Sequence, residues 1–573
     1  MRPFSQLHYQ RPNFTELTRQ LKRLARRFKR ERDLELRQEI LREFQDLYED
    51  YQEMYLLALL RHQLNKSEFY ANELSVFQSV EDELKVIVDD FYTEFLRAKV
   101  NFSPQDPSQA TLNRLALDRL QLYGPNFREA KEIESAFLLR ERRRLEKIKR
   151  RVSGTDSVIH FQQSLRHPQP EERLAAWHEL SHELMAHEVD SATDYLHLLL
   201  LRQHLQNAGG YASAYQYAYH YSHLYFEQQS DWIAFKEGLE RHFMPLFQSF
   251  FQSRIRRLGE ATVKVENAFC LISDEGLSHL PSAGPDFLTL LSQDYDLRLG
   301  GENAFFTTLL QEGYMQELGS SIDLQAEMPI FLPKSRQVVL LYPAYTGAQI
   351  DLCLHELSAE FARQLLRYAT VQNFPARQAW PEAALAEALC EFGLLAIFSR
   401  RQHRFESEVN GDEALLGVIT RDELIDLLLA RALMLLPQQL FMADFELQVN
   451  AYEVKTRKDI AELWRRLAHR AYPDLDRSEV LAFQKGYERQ LNFELFAAPF
   501  VSLEFILALC LILYEQPWQK GNDQKLLSKF MRFVMSNRSL PLPKRIENAG
   551  FTGLSDPDFL ARAAFSLANR LEI

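Results

Sequence analysis

The chain has 573 residues, 46% hydrophobic and 25% charged, enough for a large core and ordinary for a soluble globular protein. A net charge of -12 argues against a general nucleic-acid binder. The N-terminus, Met1-Arg2-Pro3-Phe4, lacks the apolar run of a signal peptide, so a cytoplasmic location is expected. Cys270, Cys353, Cys390 and Cys510 have no CxxC spacing and read as small buried thiols, not as a disulfide framework or a Cys-rich zinc site.

In chain order, helical periodicity dominates. Apolar residues recur at three- and four-residue steps from Phe14 to Tyr55, as in Leu17, Leu21, Leu24 and Phe28, then Ile40, Phe44 and Leu47. Residues 81–96 and 112–122 read the same way. The basic run Arg140 to Arg151, broken by Glu141 and Glu146, reads as a solvated helix face. Ser153-Gly154-Thr155 interrupts that helix and divides an N-terminal helical lobe, 1–153, from a main body, 154–573.

Helices resume through residues 164–255, with a break at Gly209-Gly210. Tyr211, Tyr215, Tyr217, Tyr219, Tyr221 and Tyr225 follow it; helix packing is the first reading and a peptide groove the second. Residues 261–272 and 329–345 are strand-like, with Val263, Val265, Val338 and Val339, and Gly300-Gly301 marks a turn. From about Ile350 the helical pattern runs nearly to the end, with breaks near Pro375, Gly411, Pro473 and Pro541. The most apolar stretch, 496–514, contains Pro499 and Glu504 and reads as a core helix, not a membrane span. The expected fold is mainly α, with a small β-sheet beside its centre.

Two segments carry metal-site chemistry. His178-Glu179-Leu180-Ser181-His182 is a literal HExxH, in which histidines at i and i+4 share a helix face and the Glu activates a zinc-bound water. Yet Leu174, Trp177, Leu180 and Leu184 form the apolar stripe, and both histidines fall off its centre, among Glu171, Glu172, Glu183, His187 and Glu188. A catalytic helix needs apolar packing behind its ligands, so this motif reads as a decoy on a solvated face. The second segment, Leu352 to Phe361, has the apolar approach and Gly347 just before it. It offers His355 and Glu356, but Ala359 stands at i+4.

That second segment resembles the active helix of the oligoendopeptidase F and thimet oligopeptidase family in Thr346-Gly347, Asp351, Leu354, His355, Glu356 and Phe361. Further pieces are similar in order along the chain. They are Tyr9 to Phe14, Arg61-His62-Gln63-Leu64-Asn65 with Glu68-Phe69-Tyr70, Leu435-Leu436-Pro437 with Asp444-Phe445-Glu446 and Tyr452-Glu453, and Pro499 to Phe505. The resemblance implies a two-lobed helical oligopeptidase fold around a deep central channel, with the small sheet beside the zinc helix.

The resemblance also implies a zinc held by both motif histidines and by a Glu about 25 residues after the second. Those positions are His355, Ala359 and Ala384, with Glu391-Phe392 falling on the family's second Glu and its Phe. Glu356 is the remnant of the general base. The family's oxyanion side uses tyrosines and a His; here Val501, Ser502 and Phe505 stand for the tyrosines and Glu494 for the His. The degenerate site thus spans 347–392 and 494–505. No cofactor is expected, and the leading reading is a pseudopeptidase that binds a peptide or a protein partner, such as an active oligoendopeptidase relative.

The alternative is an active metallo-oligoendopeptidase with a rewired zinc site from His355, Glu387 and Glu391. Glu360 is disfavoured as a ligand because it lies about 140° from His355 around the helix. Neither nucleic acid nor membrane is an expected partner.

Overall fold

The structure is a computed structural model that describes residues 3–98, 125–154, 158–258, 262–271, 282–284, 286–299, 304–318, 330–343, 345–373, 384–398, 421–451, 454–519, 522–536 and 540–573. The helix expected over 112–122, the Gly300-Gly301 turn, the breaks at Pro375 and Gly411, and Tyr452-Glu453 lie outside them.

The first three helices follow from the apolar spacing. Asn13 caps α1 (Phe14–Arg30) by accepting from the Glu16 amide, and the stripe Leu17, Leu21, Leu24, Phe28 is buried. Asp33 caps α2 (Leu34–Asn65) in the same way, and α3 (Glu68–Arg97) packs across both. Phe44 and Phe91 stack in the core of these three helices, with ring centroids 3.8 Å apart.

The family-like pieces at this end are clamps. Tyr9 and Arg11 both donate to the buried Glu73, Arg11 Nε at 2.8 Å. Arg61 Nη1 donates to Tyr70 Oη at 2.8 Å, and its Nη2 donates to the Leu7 carbonyl. These ties fix the entry segment onto the lobe before α1 begins.

Next, α4 (Pro125–Ser153) lies along the long α6 (Pro170–Ala208), with α5 (Val158–Leu165) between them in sequence and touching both. Arg140 and Arg144 donate to Asp194 of α6, and Glu141 accepts from Ser191 at 2.7 Å. The Arg144 side chain is only 16% exposed. This part of the basic run is therefore a charged seam between helices, not the solvated face expected, because α6 presents a carboxylate opposite it.

Gly209 and Gly210 end α6, Gly210 at φ 72°. In α7 (Ala214–Ser222), Tyr215 and Tyr217 are buried; Tyr215 donates to the Phe226 carbonyl at 2.8 Å. Tyr211, Tyr217 and Tyr221 pack with Ala130 and Leu205. Tyr219 and Tyr225 pack against the main core, so packing accounts for all six tyrosines.

The strand expected over 261–272 shrinks to β1 (Val263–Lys264), and Val265–Leu271 coil into a 3-10 helix. The partner of β1, in parallel, is the two-residue β5 (Leu475–Asp476), which gives the chain nothing further to pair with. The second expected strand forms a sheet of β2 (Met315–Leu318), β3 (Ile330–Leu332) and β4 (Gln337–Pro343), ordered β2-β4-β3. Met315 pairs with Leu340 in parallel and Ile330 with Val339 antiparallel. Val338 and Val339 are fully buried in the central strand.

The sheet backs onto α8 (Ile350–Asn373), where Gln364 Nε2 donates to the Val338 carbonyl at 3.4 Å. Against α8 pack α9 (Ala384–Phe398) and α10 (Arg421–Asn450), and α11 (Glu504–Tyr514) lies against α9. The apolar stretch 496–514 is core, as expected, with Glu504 buried at the start of α11. One described helix, over Glu423–Asn450, is long and apolar enough to cross a membrane; 67% of its apolar window is buried inside the protein. Cys353, Cys390 and Cys510 are buried free thiols.

Candidate functional site

His178, Glu179 and His182 are exposed on α6, while Trp177, Leu180 and Leu184 of the same turns are buried. The literal HExxH therefore faces outward. Two of its acidic neighbours do not: Glu183 and Glu188 are buried. A helix of this length is covered on more than one side, and Glu188 accepts from Arg489 Nη2 at 2.8 Å beneath the 487–491 turn.

The second segment opens α8. Gly347, at φ 84°, supplies the left-handed turn before the helix. Asp351, in the first turn, accepts from Arg166 Nη2 of the segment after α5 at 2.9 Å, both side chains buried. Leu352, Leu354, Leu357, Phe361 and Ala362 face the core, and Ser358 hydrogen-bonds Tyr295 at 2.7 Å. The opposite face, His355, Glu356, Ala359, Glu360 and Arg363, is half-buried. Both motifs have apolar packing behind them, but only here do the polar groups stand on a protected surface.

The partner helix α9 brings its carboxylates to this face. His355 Nδ1 stands 2.8 Å from Glu391 Oε1, with the imidazole 26% exposed. Arg363 pairs with Glu360 of its own helix and lies 3.4 Å from Glu387 Oε2. The i, i+4 pair Glu387 and Glu391 is thus split between two partners, Arg363 and His355. Burial pushes the Glu387 carboxyl above its usual range, and Arg363 and Arg367 pull it back. Arg431 of α10 donates to Gln162 at 2.6 Å; burial, then Arg166, holds its guanidinium below the ordinary range.

Of the three positions the resemblance assigns to zinc, His355 carries a donor; Ala359, half-buried, and Ala384, exposed at the start of α9, carry methyl groups. With Nδ1 held by Glu391, one ring nitrogen is left for any ligand. A catalytic zinc needs three protein ligands, so these residues do not fit the group.

The oxyanion positions are drawn elsewhere. The Phe500 amide donates to Glu446 Oε1 at 2.6 Å and Ser502 Oγ to Oε2 at 3.1 Å, with Phe500 in the left-handed region at φ 65°. Burial pushes Glu446 up to about 7, against those two donors. Val501 packs on the core and Phe505 on Phe392 of α9, ring centroids 4.7 Å apart. Glu494 is exposed on a single helical turn against α4 and is not gathered with the others. A groove of about 1150 Å³ lined by Arg465, Arg466, Arg477 and Phe483 contains none of these site residues.

Sequence reasoning passed over Arg363, Arg166, Arg431 and the Glu446 clamp. Arg363 alone left a signal, lying eight residues after His355 on the same helix face.

The His355–Glu391 contact gives a pH prediction. Burial lowers the imidazole's pKa, but the charge of Glu391 and its hydrogen bond outweigh this and raise it above the ordinary value. The stabilisation is fully present below the unfolded value near 6.5 and is lost as pH rises through the folded one. Glu391→Gln is expected to lower the His355 titration, followed by NMR, and to cost more stability at pH 6 than at pH 8. Equal cost at both would show that the pair is not coupled in solution.

Residues 4–103 match the model of the peptidase M3 N-terminal domain. No curated protein matches the chain in sequence. Among solved structures, Pz peptidase A with an inhibitor is similar at 17% identity and TM-score 0.76, covering 99% of both chains. A Bacillus anthracis protein assigned as an oligoendopeptidase F is similar at 14% and 0.72, covering 100% of this chain and 98% of that one. The oligoendopeptidase F of Enterococcus faecium is similar at 13% and 0.52, covering 98% and 96%. At these identities the likeness shows the fold.

Proposed function

We propose that this chain, which has the helical oligopeptidase fold of oligoendopeptidase F and the M3 peptidases, is a cytoplasmic peptide-binding relative that does not hydrolyse its ligand. The observation that carries this reading is the state of the former zinc face. Two of three inferred ligand positions are Ala359 and Ala384, and the nearby carboxylates already have internal partners: Glu391 has His355, and Glu360 and Glu387 have Arg363.

A guanidinium balances carboxylate charge, but it does not lower the pKa of a bound water as a catalytic metal does. Glu356 then has no polarised water from which to take a proton. Val501, Ser502 and Phe505 supply no phenol to a developing oxyanion, and the Ser502 hydroxyl is committed to Glu446. Binding does not need this machinery. Among the described residues β2 and β3 are the edges of the sheet behind α8, and an extended peptide adds to such an edge through main-chain hydrogen bonds. An active oligoendopeptidase relative is the partner this reading favours for hand-over of the peptide.

The test uses quenched fluorescent peptides of about 6–12 residues for cleavage and labelled ones for binding. The expected result is saturable binding with no chelator-sensitive cleavage, with or without added zinc. Chelator-sensitive turnover would overturn the reading in favour of a rewired site from His355, Glu387 and Glu391. Absence of binding across a mixed-sequence peptide set would overturn the peptide-holding role.

A further inference from the structure

We propose, building on the peptide-holding reading, that the central face takes its peptide by a carboxylate group, seated on Arg431 with Arg166 behind it. Helices α5 and α10 both pack against α8. Arg431 comes from α10, and Arg166 is the residue that follows α5. Arg431 lies within electrostatic reach of His355, Glu356, Glu391 and Asp351, which puts it on the face that carries the former zinc positions.

The observation that points to a ligand is the state of these two guanidiniums. Arg431 is half-buried, and among the described residues it pairs with no carboxylate. Its Nη2 donates to the neutral amide oxygen of Gln162 at 2.6 Å, and its buried Nη1 has no partner. Arg166 is 2% exposed; its Nη2 donates to Asp351 Oδ2 at 2.9 Å, while Nε and Nη1 have no partner. Asp351 thus answers one of the two cations and not both. Other buried arginines show the usual solution: Arg202 pairs with Glu134 and Arg489 with Glu188, each at 2.8 Å. A guanidinium taken from water without such a partner is costly. Burial, then the like charge of Arg166, holds Arg431 below its ordinary range, and the more distant carboxylates restore only part of the loss.

A carboxylate is the ligand that fits. Its two oxygens match the fork of one guanidinium, and the paired charge-assisted bonds are stronger than a bond to an amide. Gln162, half-buried on α5, holds the place with one neutral oxygen. A carboxylate that displaces it satisfies Nη2 and gains Nη1 as well. Glu356 and Glu391 stand near enough to oppose a dianion such as phosphate, so a single negative charge is the better match. On a peptide this group is either the C-terminus or an acidic side chain.

The test uses one labelled peptide in four forms: C-terminal acid or amide, each with Gln or Glu at a central position. On the full-length wild type, at least one carboxylate-bearing form is expected to bind about tenfold tighter than the amide with Gln, the scale of a charged hydrogen bond. Whether the acid with Gln or the amide with Glu carries that preference tells the C-terminus from a side chain. Arg431→Gln is expected to cut the preference to about twofold or less, because the fork that makes the paired bonds is gone. Gln162→Glu is expected to do the same while keeping the arginine, by seating a tethered carboxylate in the ligand's place, so the site is tested even if Arg431→Gln fails to fold. Arg466→Gln, in the separate groove, leaves the preference unchanged. Equal affinity for all four forms would overturn the carboxylate site and leave peptide holding intact, since the peptides still bind. No binding by any form would instead overturn peptide holding itself. A preference that survives Arg431→Gln or Gln162→Glu would also overturn the site, because the carboxylate would then sit elsewhere.

Discussion

Changing Ala359 to His and Ala384 to Glu together is expected to raise the zinc affinity of the central face by at least about 10³-fold. Structural zinc sites of four ligands are worth about 10–16 kcal/mol, so two restored ligands supply several kcal/mol even after a large discount for imperfect geometry. His355 is already oriented, since Glu391 holds its Nδ1 side. Arg363 opposes the gain: its guanidinium lies on the same face and is paired with Glu360 and Glu387. Adding Arg363→Gln is therefore expected to tighten zinc further.

Peptide cleavage is expected to stay slow in all these variants. Losing a single oxyanion donor costs about 10²–10³ in kcat, and the positions for such donors are Val501, Ser502 and Phe505. The measurement is zinc competition in a His182→Ala background, which keeps the α6 face out of the titration. Equal affinity in the background protein and the double variant would show that residue 384 is not the position opposite the motif.

The helices were legible because their apolar stripes are long and regular, and Val338 and Val339 did mark the central strand. The limits of β1 were not, because a strand lasts only as long as its partner and Leu475–Asp476 lies over 200 residues away. His355 and Glu356 could be placed on a protected face from one helix alone. Arg363 opposite Glu387 could not, since that contact exists only once α8 and α9 pair. The same holds for Glu446 with Phe500 and Ser502, where the left-handed Phe500 carries no glycine to announce it. Glu188 misled in the opposite sense: its neighbours along α6 suggest solvent, and it is buried against Arg489 and Gln490, about 300 residues further on.

Replacing Arg166 by Ala is expected to destabilise the protein by about 3–5 kcal/mol, the range for breaking a buried ion pair from one side. Arg166 is 2% exposed and Asp351 is 1% exposed, so the carboxylate left behind has neither water nor a second cation in contact. Two effects soften the loss. Asp351 lies in the first turn of α8, where the helix dipole favours a negative charge. Arg431, held below its ordinary range partly by Arg166, is relieved when that charge goes. Neither replaces a charge-assisted hydrogen bond of 2.9 Å. Arg166→Met with Asp351→Leu is expected to recover most of the stability, because removing both charges removes their desolvation as well. Urea unfolding checks this, read as midpoint shifts at constant slope. A loss below about 1 kcal/mol in Arg166→Ala would mean that water reaches Asp351 and that the start of α8 is held by its apolar face alone.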